Sequence, residues 1–106
     1  IVLNSAFNIV ELNLSNNNIT DLRGLSMLIS IEYLNLSENL ISTVDGLENM
    51  KNLSSLKLSY NRISNFQGLR LLSYNSILTE IWMEGNPIEN DVYYKVKLLN
   101  CIPNIK

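Results

Sequence analysis

Apolar and polar positions recur along the chain in a fixed order. Ile9-x-x-Leu12-x-Leu14-x-x-Asn17 is followed by Ile31-x-x-Leu34-x-Leu36-x-x-Asn39, by Leu53-x-x-Leu56-x-Leu58-x-x-Asn61 and by Leu78-x-x-Ile81-x-Met83-x-x-Asn86. The asparagines of the four copies fall 22, 22 and 25 residues apart. Ile19, Ile41, Ile63 and Ile88 each lie two residues further on, and Leu22, Val44 and Phe66 lie five on. The pairs Gly24-Leu25, Gly46-Leu47 and Gly68-Leu69 follow, then Leu28, Met50 and Leu72. Self-similarity at this period is the signature of stacked repeats.

The local physics of one unit predicts its shape. In Leu12-x-Leu14 both leucines point to one face of a short strand and the intervening residue to the other. One unit is too small to bury that face alone. Neighbours therefore stack in register, and their strands form a parallel sheet along the inside of an arc. The asparagine ends the strand, where its amide satisfies backbone groups left free as the chain turns away, so Asn17, Asn39, Asn61 and Asn86 are expected to form a ladder. The dozen or so residues left in each unit return over the outer face as a loop with a short 3₁₀ or helical turn. Gly24, Gly46 and Gly68 are expected where a side chain would clash or φ is positive.

These positions resemble the leucine-rich repeat family, and the 22-residue length with its recurring Gly-Leu is similar to the short class typified by the regulatory subunit of protein phosphatase 1. The resemblance implies an α/β leucine-rich repeat solenoid: a parallel concave sheet, a loop and 3₁₀ convex face, and a C-terminal helical cap. It implies one domain over residues 1–106, with 1–8 as the tail of an earlier repeat, repeats at 9–30, 31–52, 53–77 and 78–88, and a cap at 89–106. Asn86-Pro87, Tyr94-Lys95 and Pro103-x-Ile105 resemble the capping motif of intracellular members of this class. In the cap helix, Asn90 or Asp91 is the expected N-cap, and Val92, Val96, Leu99 and Ile102 share one face at helical spacing. Leu3, Ala6 and Ile9 match Leu25, Leu28 and Ile31 one period on. The expectation is therefore a portion of a longer array whose open edge is covered. The longer last spacing comes from residues 73–76, read as a longer outer helix, with a partner-binding bulge as the alternative.

Composition narrows the function classes. The 106 residues are 46% hydrophobic and 17% charged, which suits a folded domain and not a disordered chain. Net charge is −2 and no basic run occurs, so direct nucleic-acid binding is not expected. No apolar stretch approaches the ~20 residues that span a bilayer, and no signal-peptide pattern opens the chain, so no membrane association is expected. The chain has one cysteine and no histidine. Lacking disulfides, it fits a reducing compartment: cytoplasmic, with cytoskeleton, cilium or nucleus as possible addresses. Cys101 has no histidine to activate it and reads as a packing residue. The sequons at Asn13, Asn18, Asn35 and Asn52 match what this many asparagines produce by chance, and two of them fall inside strands. Glu80 and Glu84 are paired without any cleft-forming insertion, and the glycines recur at the repeat period instead of clustering around a phosphate. No catalytic residue, metal, cofactor or small-molecule substrate is expected.

Candidate function lies on the inner wall. The register sets out the columns Glu11, Tyr33, Ser55, Glu80; Asn13, Asn35, Lys57, Trp82; and Ser15, Ser37, Ser59, Glu84, with Asn16, Glu38, Tyr60 and Gly85 on the rim. Large aromatics on a solvated sheet mark interaction hot spots. The residues expected to contact a partner are Glu11, Asn13, Tyr33, Asn35, Lys57, Tyr60, Glu80, Trp82 and Glu84; the competing reading folds Trp82 over the cap helix. The expected function is non-catalytic protein–protein interaction. Members of the resembling group include phosphatase-1 regulators, axonemal and dynein-associated light chains and a spliceosomal protein that grips a partner domain. A cytoskeletal or ciliary adaptor or a phosphatase regulator ranks first, a ribonucleoprotein or mRNA-export component second, and an extracellular receptor third.

Overall fold

The computed structural model describes residues 8–105; the expected tail of an earlier repeat, apart from Asn8, lies outside them. Four three-residue strands, β1 (Glu11–Asn13), β2 (Tyr33–Asn35), β3 (Ser55–Lys57) and β4 (Glu80–Trp82), form one parallel sheet in chain order. The register is unbroken, with Leu12, Leu34, Leu56 and Ile81 level across all four strands. Pairing continues past the strands: Leu14, Leu36 and Leu58 each donate a backbone N–H to the following repeat at 2.8 Å. The chain is therefore held by repeat-to-repeat bonds over more of its length than the strands alone cover.

The core sits between the sheet and the outer return. Leu36, Ile41, Val44, Leu47, Met50, Leu53 and Leu56 are all fully buried, so every column of the repeat pattern contributes. Burying a leucine stabilises by roughly 1.5–3 kcal/mol, which is why 22-residue coils persist only when stacked. The asparagine ladder is present. Asn61 Nδ2 donates to the carbonyl of Leu36 at 2.9 Å and to its own coil's Leu58 at 3.1 Å, while its Oδ1 accepts the Ile41 N–H at 3.0 Å. Asn39 repeats this with Leu14, Leu36 and Ile19, and Asn86 with Leu58, Met83 and Ile63. Asn17 donates only within its own coil, to Leu14 and Ser15, among the described residues.

The outer face is built from turns and 3₁₀ helix, at Arg23–Leu25 and Gly68–Tyr74. The second of these, seven residues long, accommodates the three extra residues of the 25-residue spacing. Asn75 follows it, 2% exposed, with Nδ2 donating to the carbonyls of Leu47 and Met50, so the insertion is tied to the preceding coil. The glycine column divides. Gly46 has φ +114°, and a Cβ there would stand 2.4 Å from the Leu22 carbonyl oxygen. Gly24 and Gly68 sit in 3₁₀ turns outside the left-handed region, and a Cβ on Gly68 would meet only Asn65 Oδ1 at 3.6 Å, so at Gly68 neither expected reason for a glycine holds.

The cap departs from expectation in two ways. A 3₁₀ turn at Pro87–Asn90 precedes helix α1 (Tyr94–Cys101), whose N-cap is Tyr93; neither Asn90 nor Asp91 caps it. Asp91 instead accepts the Lys97 ammonium at 2.6 Å and, after it in weight, the Tyr93 N–H at 2.8 Å, which hold its carboxyl below the usual carboxylate range. The helix also turns a different face inward. Leu98 and Cys101 are buried and Tyr94 half-buried, whereas Val92, Val96 and Leu99 are exposed; of the expected face only Ile102 is covered. Tyr94 meets Phe66 at 6.1 Å between ring centroids, and Cys101 Sγ reaches the Phe66 carbonyl at 3.4 Å. Burial, and after it the charges of Glu89 and Glu84, push the Tyr94 phenol upward.

Candidate functional site

Strand alternation turns Glu11, Tyr33, Ser55 and Glu80 outward in one row and Asn13, Asn35, Lys57 and Trp82 in a second, each row level across the four strands. These two rows line a concavity of about 460 Å³. Seven of the nine expected contact residues meet there: Glu11, Asn13, Tyr33, Asn35, Lys57, Glu80 and Trp82. Tyr33 is 48% and Trp82 44% exposed, a large aromatic surface on a sheet whose backbone is fully paired on both sides of Tyr33.

The Lys57 ammonium lies 4.2 Å from the centroid of the Trp82 ring. That contact is worth about 0.5–1 kcal/mol at an exposed site and holds both side chains on the sheet. Helix α1 packs on Gly68–Tyr74 and Pro87–Asn90, not on β4, so Trp82 belongs to the inner wall and does not shield the cap. Ser55, outside the expected contact set, also lines the concavity, and its hydroxyl donates to Glu80 Oε1 at 2.7 Å. The column register carried that signal, since Ser55 and Glu80 are cross-strand partners.

Other expected contact residues have structural work. Asn13 Oδ1 accepts the Ser15 N–H and hydroxyl, and Asn35 Oδ1 accepts the Ser37 N–H, both closing the strand end with an Asx-type turn. Tyr60 and Glu84 lie beyond the strand ends and do not line the concavity. Tyr60 takes φ +57°, as Glu38 (+58°) does one coil earlier and Asn16 (+59°) two coils earlier. Its ring covers Gly85, where a Cβ would be 2.3 Å from Tyr60 Cδ1, so the glycine in this column makes room for the tyrosine. The Ser59 hydroxyl donates to Glu84 Oε1.

The four strands carry three charges, Glu11, Lys57 and Glu80. Among the described residues, no group of three or more His, Cys, Asp and Glu is placed to hold a metal ion, and no helix is long and apolar enough to cross a membrane.

Comparison with known proteins agrees with this geometry. A chain of the Drosophila melanogaster SNF/U2A′ complex superposes with a TM-score of 0.79 at 25% identity, over 96% of this chain and 59% of that one. Internalin C2 from Listeria monocytogenes matches at TM-score 0.67 and 28% identity, over 81% of this chain and 36% of its own. The internalin InlF of the same organism matches at 0.68 and 27%, over 92% and 27%. The chain thus spans between about a quarter and three fifths of these structures. No curated protein sequence matches it. The profile for Leucine Rich repeats (2 copies) matches twice, over residues 8–49 and 29–71. With most of its length under that profile and its coils stacked in a single parallel sheet, the chain belongs to the leucine-rich repeat family.

Proposed function

We propose that this chain is a non-catalytic protein-interaction module, an adaptor or regulatory subunit, that seats a partner protein on its concave face. The observation that carries the reading is the pair of half-exposed aromatics, Tyr33 and Trp82, fixed on one paired sheet with Lys57 stacked on Trp82. Rigid aromatics lose little conformational entropy on binding, which is why they dominate interface energetics. The partner contacts are Glu11, Tyr33, Lys57, Glu80 and Trp82 in the groove, with Asn13 and Asn35 beside them and Tyr60 and Glu84 at the rim. A cytoskeletal, ciliary or phosphatase-regulating role is the first reading. The second reading is a ribonucleoprotein or mRNA-export component that binds a protein partner, with which the SNF/U2A′ neighbour, found in a complex, is compatible.

Affinity purification with wild type, Tyr33→Ala and Trp82→Ala tests the site. Each substitution is expected to weaken partner capture by about 30-fold, the equivalent of ~2 kcal/mol, with thermal melting unchanged within a few degrees. Capture that survives both substitutions rules the concave face out. A phosphatase catalytic subunit or a dynein heavy chain among the partners supports the first role; a ribonucleoprotein particle supports the second.

A further inference from the structure

We propose that the concave face takes a basic segment of its partner: cationic side chains at two ends and an apolar or aromatic side chain between them. The inference rests on the docking reading above and names the chemistry of the occupant. The first outward row runs Glu11, Tyr33, Ser55, Glu80, so a carboxylate stands at each end with an exposed aromatic ring between. Three strand steps of about 4.8 Å separate the two carboxylates by about 14 Å. Ser55 fixes one oxygen of Glu80 and Ser59 one oxygen of Glu84, and each carboxylate keeps a second oxygen for an incoming donor. Glu38 and Glu84, both exposed, add negative charge at the strand ends.

The one cation of the strands, Lys57, is engaged with the Trp82 ring in the second row. It repels a second cation there and so directs the partner's charges to the first row. The other Lys and Arg residues of the described chain lie off the strands, and two of them, Arg23 and Lys97, are paired with Asp21 and Asp91. Counted over the strands and their ends together, Glu11, Glu38, Glu80 and Glu84 against Lys57 give this face a net −3, against −2 for the whole chain. Opposite charge on a partner steers encounter and excludes acidic competitors.

The probe is a phage-displayed library of random dodecapeptides, selected in parallel on the wild-type chain and on Trp82→Ala. Peptides that need Trp82 are expected to be enriched in Arg and Lys and depleted in Asp and Glu. For a synthetic peptide from that pool, the emission of Trp82, the only tryptophan, reads binding directly. The double variant Glu11→Gln with Glu80→Gln is expected to weaken it about tenfold and to flatten its salt dependence, and Lys57→Glu to strengthen it severalfold, as screened charge contacts require. Trp82-dependent peptides that are neutral or acidic, or that ignore the double variant, overturn the charge assignment and leave the docking reading standing. Peptides indifferent to both Trp82 and Tyr33, or no binders at all, overturn both.

Discussion

The coil at 31–52 and the coil at 9–30 carry the same Leu-x-Leu-x-x-Asn frame and bury it differently. Leu34, Leu36 and Asn39 are 2%, 0% and 4% exposed. Their counterparts Leu12 and Leu14 are only half-buried, and Asn17 is exposed. Asn39 reaches back to Leu14 and Ile19 of the coil before it, whereas Asn17 bonds only to Leu14 and Ser15 among the described residues. A repeat residue is therefore worth what its neighbouring coil supplies, and identical side chains differ in energy along one chain.

Substitutions in matched pairs exploit that contrast. Leu36→Asp places an unpaired carboxylate in the core at a cost of more than about 4 kcal/mol and is expected to unfold the chain, with loss of far-ultraviolet circular dichroism. Leu14→Asp, on a half-buried site, should leave a folded molecule with a lowered melting point. Next in size, Leu56→Ala should cost about 2–5 kcal/mol by urea denaturation, and Leu12→Ala less than half as much; equal values would erase the distinction. Asn61→Ala strands the Ile41 N–H and two carbonyls and should cost about 3 kcal/mol, against ~0.5–1 for Asn17→Ala.

The smallest effect is electrostatic. Arg23 holds the Asp21 carboxyl down to about 2, mainly through its side-chain hydrogen bonds. A depressed carboxylate stabilises the folded state above the ordinary value of about 4, and that contribution is lost as pH falls toward 2. Both side chains are well exposed, so solvent screening leaves little of it. Asp21→Asn should barely alter the difference between melting temperatures at pH 5 and pH 2.5.

The repeat core was legible because period-2 leucines and a period-22 asparagine each have one physical use, and both appear at the expected positions. The cap was harder. Val92, Val96, Leu98, Leu99, Cys101 and Ile102 offer apolar residues on several sides, so spacing alone did not choose the buried one. The choice is made by Phe66 and the Gly68–Tyr74 turn, which draw in Tyr94, Leu98 and Cys101. The left-handed residues Asn16, Glu38 and Tyr60 were also hidden, since glutamate and tyrosine do not favour that conformation. It is imposed where Asn16, Glu38 and Tyr60 donate N–H groups to Ser37, Ser59 and Glu84 as the chain leaves the sheet. The Lys57–Trp82 contact follows from register, because the two residues are cross-strand partners.

A sheet in which each strand touches only the next one has a mechanical consequence. Pulled from its ends, such a molecule peels coil by coil instead of shearing all at once. A coil of 22 residues pays out about 75 Å of chain. Such a chain lengthens in steps under load and rewinds against the coil still in place.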